Sequence, residues 1–173
     1  MTKAAIIQRL TALGVGIGAA IAGAFLIIPN EGEVLGTYVD PVGILTACYG
    51  QTGTEIQAGQ KYSRDECMAM LADDLATRDR QMRSLVTVEL SPGEHAAYLS
   101  LAYNIGINNF KGSTLIKHLN NDRRHDACQQ IMRWVFAGGK DCRIRSSNCY
   151  GIVVRREQEL AMCLGHIPLD LDR

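Results

Sequence analysis

Glu31, Asp40 and Thr46 put two carboxyl groups and a hydroxyl on one short stretch, with the spacing Glu31-x8-Asp40-x5-Thr46. Gly36, Pro41 and Gly43 lie between them, and residues of these types let a chain fold back on itself, so that all three groups can face one cleft. The chemistry that needs such a trio is hydrolysis of a glycosidic bond. One protonated carboxyl donates to the leaving oxygen while a second carboxylate acts as base on the opposite face of the sugar. A hydroxyl beside the second carboxylate can hold the attacking water. In that division of labour Glu31 is the acid, Asp40 the base and Thr46 the water holder.

The motif, with Gly32 after the glutamate and Tyr38 two residues before the aspartate, resembles the catalytic signature of phage-type lysozymes, especially lambdoid endolysins. Further pieces resemble that family in the same order: Ala102-Tyr103-Asn104-Ile105-Gly106, Asn109-Phe110, Ser113-Thr114-Leu115, Trp134 to Lys140, and Gly151 to Glu157. The resemblance covers roughly residues 30 to 165. It implies an α+β, lysozyme-like fold, with a small antiparallel sheet lobe, a larger helical lobe and a cleft between. It also implies a peptidoglycan substrate, cut between N-acetylmuramic acid and N-acetylglucosamine, and sugar-contacting roles for Tyr103, Asn104, Ser113 and Thr52. A lytic transglycosylase, or a non-catalytic wall-binding protein on the same fold, stands as the alternative.

The elements that must hold these groups are marked by local signals. Ile44 to Gly50 reads as a strand, antiparallel to a second over Gly36 to Asp40. Ser63-Arg64-Asp65-Glu66 is a capping box opening a long helix, and Ser91-Pro92-Gly93-Glu94 opens another that stops at Gly106. From there the chain reads as all helix: a third capped by Ser113, a fourth striped by Cys128, Ile131 and Trp134 and ended by Gly138-Gly139, and a last one from Gly151 to Gly165. Trp134 reads as a core anchor. Arg155 and Arg156 in the first turns of the last helix oppose its dipole, which suggests a carboxylate partner. The resemblance makes that pair Arg155 with Glu31.

Ahead of the motif, residues 10–28 form 19 positions without a charge, close to the roughly 20 that cross a bilayer. Lys3 and Arg9 precede the run and Glu31 and Glu33 follow it, which places the N-terminus in the cytoplasm and the rest outside. The run is rich in Gly and Ala and so only weakly apolar. A cleaved signal peptide with a site near Ala22-Gly23-Ala24, a permanent anchor and a signal-arrest-release (SAR) segment are the open readings. The resemblance favours the third. It divides the chain into a leader, 1–29, and a catalytic domain, 30–173, exported by the host secretion machinery and held in the inner membrane by one pass. The domain would face the periplasm and be released soluble when a holin depolarises the membrane.

Lys plus Arg equals Asp plus Glu at 18 each, which gives no reason to expect a nucleic-acid partner. No cofactor or metal site is expected, and His95, His118, His125 and His166 are scattered, with no catalytic work assigned to them. Six cysteines, an even count, suggest disulfides formed outside the cytoplasm. Cys142 and Cys149 read as a closed small loop, and the other four allow three pairings among themselves. Of these the resemblance implies Cys128 with Cys163 and Cys48 with Cys67. No cysteine precedes Cys48, so a thiol switch in the leader, as some of these endolysins have, is not available.

Overall fold

A computed structural model describes residues 2–31, 34–39, 43–53 and 56–167, with the backbone alone at Glu31. Asp40 and Glu33, both singled out by the sequence, lie outside the described residues.

The fold is built around α5 (Pro92–Ile105). Ser91 caps it, accepting from the Glu94 amide while the Glu94 carboxylate reaches back to the Ser91 amide at 2.8 Å, and Pro92 presets the first turn. Gly106, at φ +84°, ends it in a conformation that favours glycine. Residues 96 to 102 are all buried, so the helix has no solvent face along this stretch. Around it pack α4 (Arg64–Arg83), the N-terminal helices and α9 (Gly151–Cys163). α4 starts at its own capping box, Ser63 with Glu66. The helices α6 (Ile107–Gly112), α7 (Thr114–Asn120, capped by Ser113) and α8 (Arg124–Gln129) close the lobe.

The small lobe is a sheet in the order β1 (Val34–Val39), β2 (Leu45–Cys48), β3 (Gln51–Thr52). All neighbours are antiparallel, with Tyr38 opposite Thr46 and Thr46 opposite Thr52. Three disulfides, Cys48–Cys67, Cys128–Cys163 and Cys142–Cys149, tie sheet to α4, α8 to α9, and close the loop before α9.

The uncharged N-terminal run is not one helix. α1 (Lys3–Ala12) ends before Gly14, which sits at φ +86°, and the chain restarts as α2 (Ile17–Ala22), widens into a π turn over Gly23–Ile27 and finishes as α3 (Ile28–Glu31). Among the described residues no helix is long and apolar enough to cross a membrane. Leu10, Ala19, Ala20, Ala22, Leu26 and Ile27 are instead buried in the same core as Leu75 and Leu99. Glycine and alanine let the helices approach closely: a methyl added at Gly23 would stand 2.8 Å from the Leu10 side chain and 3.1 Å from that of Leu75.

Two expectations for the C-terminal half need correction. The helix through Cys128, Ile131 and Trp134 stops being α-helical at Gln129, runs on as a 3-10 turn over Gln130–Arg133 and has ended by Trp134. Residues three apart line up on a 3-10 turn as well as on one side of an α-helix, so the stripe could not separate the two. Nor is the remainder all helix. Gly138 and Gly139, at φ +54° and +76°, form the turn of a hairpin between β4 (Phe136–Ala137) and β5 (Lys140–Asp141), the usual use of two such residues between short strands. Trp134 is partly buried and packs on the main core.

Candidate active site

Three elements converge where the sequence places the acid. The first is the end of α3, whose last residue is Glu31. Its neighbour Asn30 donates through Nδ2 to the Leu26 carbonyl at 2.6 Å and to Gln158 Oε1 at 3.2 Å, which fastens the end of α3 to α9. The second is the C-terminal end of α5 with Asn104, and the third the first half of α9 with Arg155. Asn30, Asn104, Gly151, Ile152 and Arg155 line one depression. The structure therefore brings Arg155 and Asn104 to the segment that carries Glu31. The proposed Arg155–Glu31 pair ends on a side chain outside the described residues.

Thr46 is fixed by the sheet. It is 3 % exposed, lies directly across from Thr52 on β3, and its hydroxyl donates to the Ile44 carbonyl at 3.0 Å. Partners directly opposite in an antiparallel pair project to the same face. Thr46 and Thr52 thus share a face, and Thr52 lines a groove with Gln51, Gln60, Tyr62, Asp74 and Arg78.

Tyr103 stands under that groove. Its hydroxyl donates to Asp74 Oδ2 at 3.1 Å and accepts from Gln51 Nε2 at 3.2 Å, and the Arg78 guanidinium covers its ring at 4.7 Å. Its contacts join α5 to β3 and α4. Ser113 lies elsewhere: 8 % exposed, it caps α7 through the Ile116 amide, donates to the Phe110 carbonyl at 2.6 Å, and lines a different depression with Asn108, Arg133 and Trp134.

Beneath Arg155 is a buried polar cluster that sequence reasoning missed. Glu159, 0 % exposed, accepts from the Ser100 hydroxyl at 2.6 Å and from Arg155 Nε at 3.3 Å, and its other oxygen accepts from Arg156 Nη1. Arg156, equally buried, donates through Nη2 to the Asn104 side-chain oxygen. Burial pushes the Glu159 carboxyl above the usual range, while the guanidiniums of Arg156 and Arg155 and the Ser100 hydroxyl pull the other way. The available signal was the spacing Arg155-Arg156-x-x-Glu159, which places both arginines within one helical turn of the carboxylate. Ser100 gave no signal, since it sits inside an otherwise apolar run.

Among the described residues, no group of His, Cys, Asp and Glu is arranged to hold a metal ion.

A three-stranded sheet lobe against a helical lobe, with the segment that ends at Glu31 leading from one to the other, defines a lysozyme-like α+β protein. The model of the family described as phage lysozyme matches residues 29–159, and the chain belongs to that family. It is thereby a glycoside hydrolase of the lysozyme type. The chain is 37 % identical over 164 residues to the SAR-endolysin of Enterobacteria phage P21, covering 91 % of this chain and 95 % of that one. It is 38 % identical over 154 residues to the SAR-endolysin of Bacteriophage PS119, covering 85 % and 88 %. Among solved structures, a mutant of P22 lysozyme superposes with a TM-score of 0.69 at 29 % identity, covering 91 % of this chain and 95 % of that one. The active form of the P1 phage endolysin superposes with a TM-score of 0.79, covering 98 % and 97 %, and at 21 % identity it bears on the fold alone.

Proposed function

We propose that the protein is an endolysin that hydrolyses the β-1,4 bond from N-acetylmuramic acid to N-acetylglucosamine in peptidoglycan, lysing the host at the end of phage infection. Glu31 donates the proton to the leaving oxygen, Asp40 takes one from water, and Thr46 positions that water. Tyr103, Asn104, Ser113 and Thr52 are the sugar contacts, and Arg155 is the partner of the acid. The observation that carries the reading is the motif Glu31-x8-Asp40-x5-Thr46 lying inside the stretch that matches the phage lysozyme family.

The test is mass analysis of the muropeptides released from purified peptidoglycan. Hydrolysis gives reducing N-acetylmuramic acid ends, with inverted configuration if the two carboxyls stand about 6.5 to 9.5 Å apart. A 1,6-anhydro product with Asp40 dispensable assigns a lytic transglycosylase instead, and no product at all assigns a wall-binding protein.

Residues 10–28 are proposed as the SAR segment, exported by the host secretion machinery, held in the inner membrane and released to the periplasm when a holin depolarises it. Supporting this are the SAR-endolysin relatives and the burial in the core of Leu10, Val15 and most of residues 18–27, which gives the segment a second environment once it leaves the bilayer. Cell fractionation before and after depolarisation tests it: full-length protein should move from the membrane to the soluble fraction, and permanent retention in the membrane rules it out.

A further inference from the structure

Glu159 is a buried carboxylate that the proposed hydrolysis does not use. Isolated buried charges are costly, and a buried ion pair is by itself weak evidence for stability. The groups that face Glu159 are specific: Arg155 and Arg156 from its own helix, and Ser100 from α5. Each arginine then reaches further. Arg155 lines the depression beside Asn30, one residue from Glu31, and it also donates to the Ser100 carbonyl at 3.4 Å. Arg156 holds the amide oxygen of Asn104, which lines the same depression. One carboxylate thus fixes two side chains of the cleft, one directly and one through Arg156.

We infer that Glu159 is a positioning residue for the hydrolytic reaction: it holds the Arg155 guanidinium and, through Arg156, the Asn104 amide in the orientation the acid and the sugar require. The inference rests on the reading of Glu31 as general acid. Two guanidiniums meet one carboxylate in these three residues, so Glu159 also sets how much positive charge the acid feels. A long flexible arginine left without this anchor samples several rotamers, and misplacement by about 1 Å near a reacting centre can cost about a hundredfold.

The experiment compares the full-length chain with Glu159→Gln, Glu159→Asp and Glu31→Gln on soluble glycan fragments of peptidoglycan, recording kcat/KM against pH and the melting temperature. In Glu159→Gln the anionic counterweight is gone and the arginines stay charged, so the acid ionises more readily. Activity that depends on a protonated acid is lost as pH rises through its pKa, and this alkaline limb therefore moves to lower pH. Alongside that shift, kcat/KM falls by up to about a hundredfold. Glu159→Asp keeps the charge and returns the limb to its original pH, with kcat/KM still reduced because the shorter side chain pulls the arginines back.

A folded Glu159→Gln that melts lower but keeps its pH limb and kcat/KM overturns the inference, since a purely structural role predicts that result. If Glu159→Gln does not fold, Glu159→Asp decides: reduced kcat/KM at unchanged limb supports positioning, and full activity overturns it. An active Glu31→Gln sinks the underlying reading itself, whereas an inactive Glu31→Gln with unaffected Glu159 variants sinks only the positioning role.

Discussion

Gly18 lies against the imidazole of His95: a Cβ built on Gly18 would stand 2.3 Å from the ring nitrogen Nδ1. The other ring nitrogen, Nε2, is held by Asp79 Oδ1 at 2.5 Å, so the ring cannot swing aside without losing that bond. Gly18→Ala should therefore destabilise the folded protein by about 1 to 3 kcal/mol, the cost of overpacking. This holds even though alanine favours a helix by about 1 kcal/mol over glycine. Gly16→Ala, where a Cβ meets nothing within 4 Å, is the control and should cost no more than about 1 kcal/mol as an altered helix cap. Thermal denaturation of the purified protein measures both, and equal melting temperatures would mean that the N-terminal helices do not pack on α5 as described.

The two carboxylates of the motif are separable from their neighbour by substitution. Glu31→Gln and Asp40→Asn should each reduce lysis of purified cell walls by at least about a hundredfold, the lower end of what acid–base catalysis contributes. The circular dichroism spectrum should remain that of the parent. Glu33→Gln, two residues from the acid and outside the spacing, should lyse normally. Lysis by Asp40→Asn would point to the water-free transglycosylase route.

Among the disulfides, cost should follow the loop each one closes. Cys48–Cys67 spans 19 residues and Cys142–Cys149 spans 7. Chain entropy gives about 3 kcal/mol for the first and about 2 kcal/mol for the second. Paired serine substitutions, followed by denaturant unfolding, test the order. The Cys48–Cys67 pair should also weaken activity, because it anchors the strand that carries Thr46.

Acid should loosen the start of α4. The Ser63 amide and hydroxyl both bond Glu66, which holds its carboxyl below the usual 4.5. A carboxyl lowered in the folded state contributes stability at pH above its unfolded value, and that contribution disappears as pH falls through the folded value. Glu66→Gln should therefore melt below the parent at pH 7, with the gap closing below about pH 4. A gap that stays constant with pH would show that the ionised carboxylate adds nothing to the cap.

The parts of this protein legible in its sequence are those set by short-range contacts. Ser63 with Glu66 and Ser91 with Glu94 announce helix starts because the cap hydrogen bonds join residues three apart. The β-forming runs around Thr46 give the sheet, and the spacing of Glu31, Asp40 and Thr46 is the basis of the proposed chemistry. The tertiary structure alone decided what depends on partners distant in sequence. An uncharged Gly/Ala-rich run suits a bilayer and a protein core equally well, and only the surface offered by α5 and α4 shows that here it splits at Gly14 and packs inward. Arg155 and Arg156 read as cations in search of a carboxylate; that Glu159, bonded by Ser100, anchors them while Arg156 goes on to Asn104 follows from the packing of α9 on α5. Local hydrogen bonds are written in neighbouring residues, whereas burial is a property of the whole fold, and so the reacting groups proposed above come from the sequence while the cluster that supports them comes from the packing.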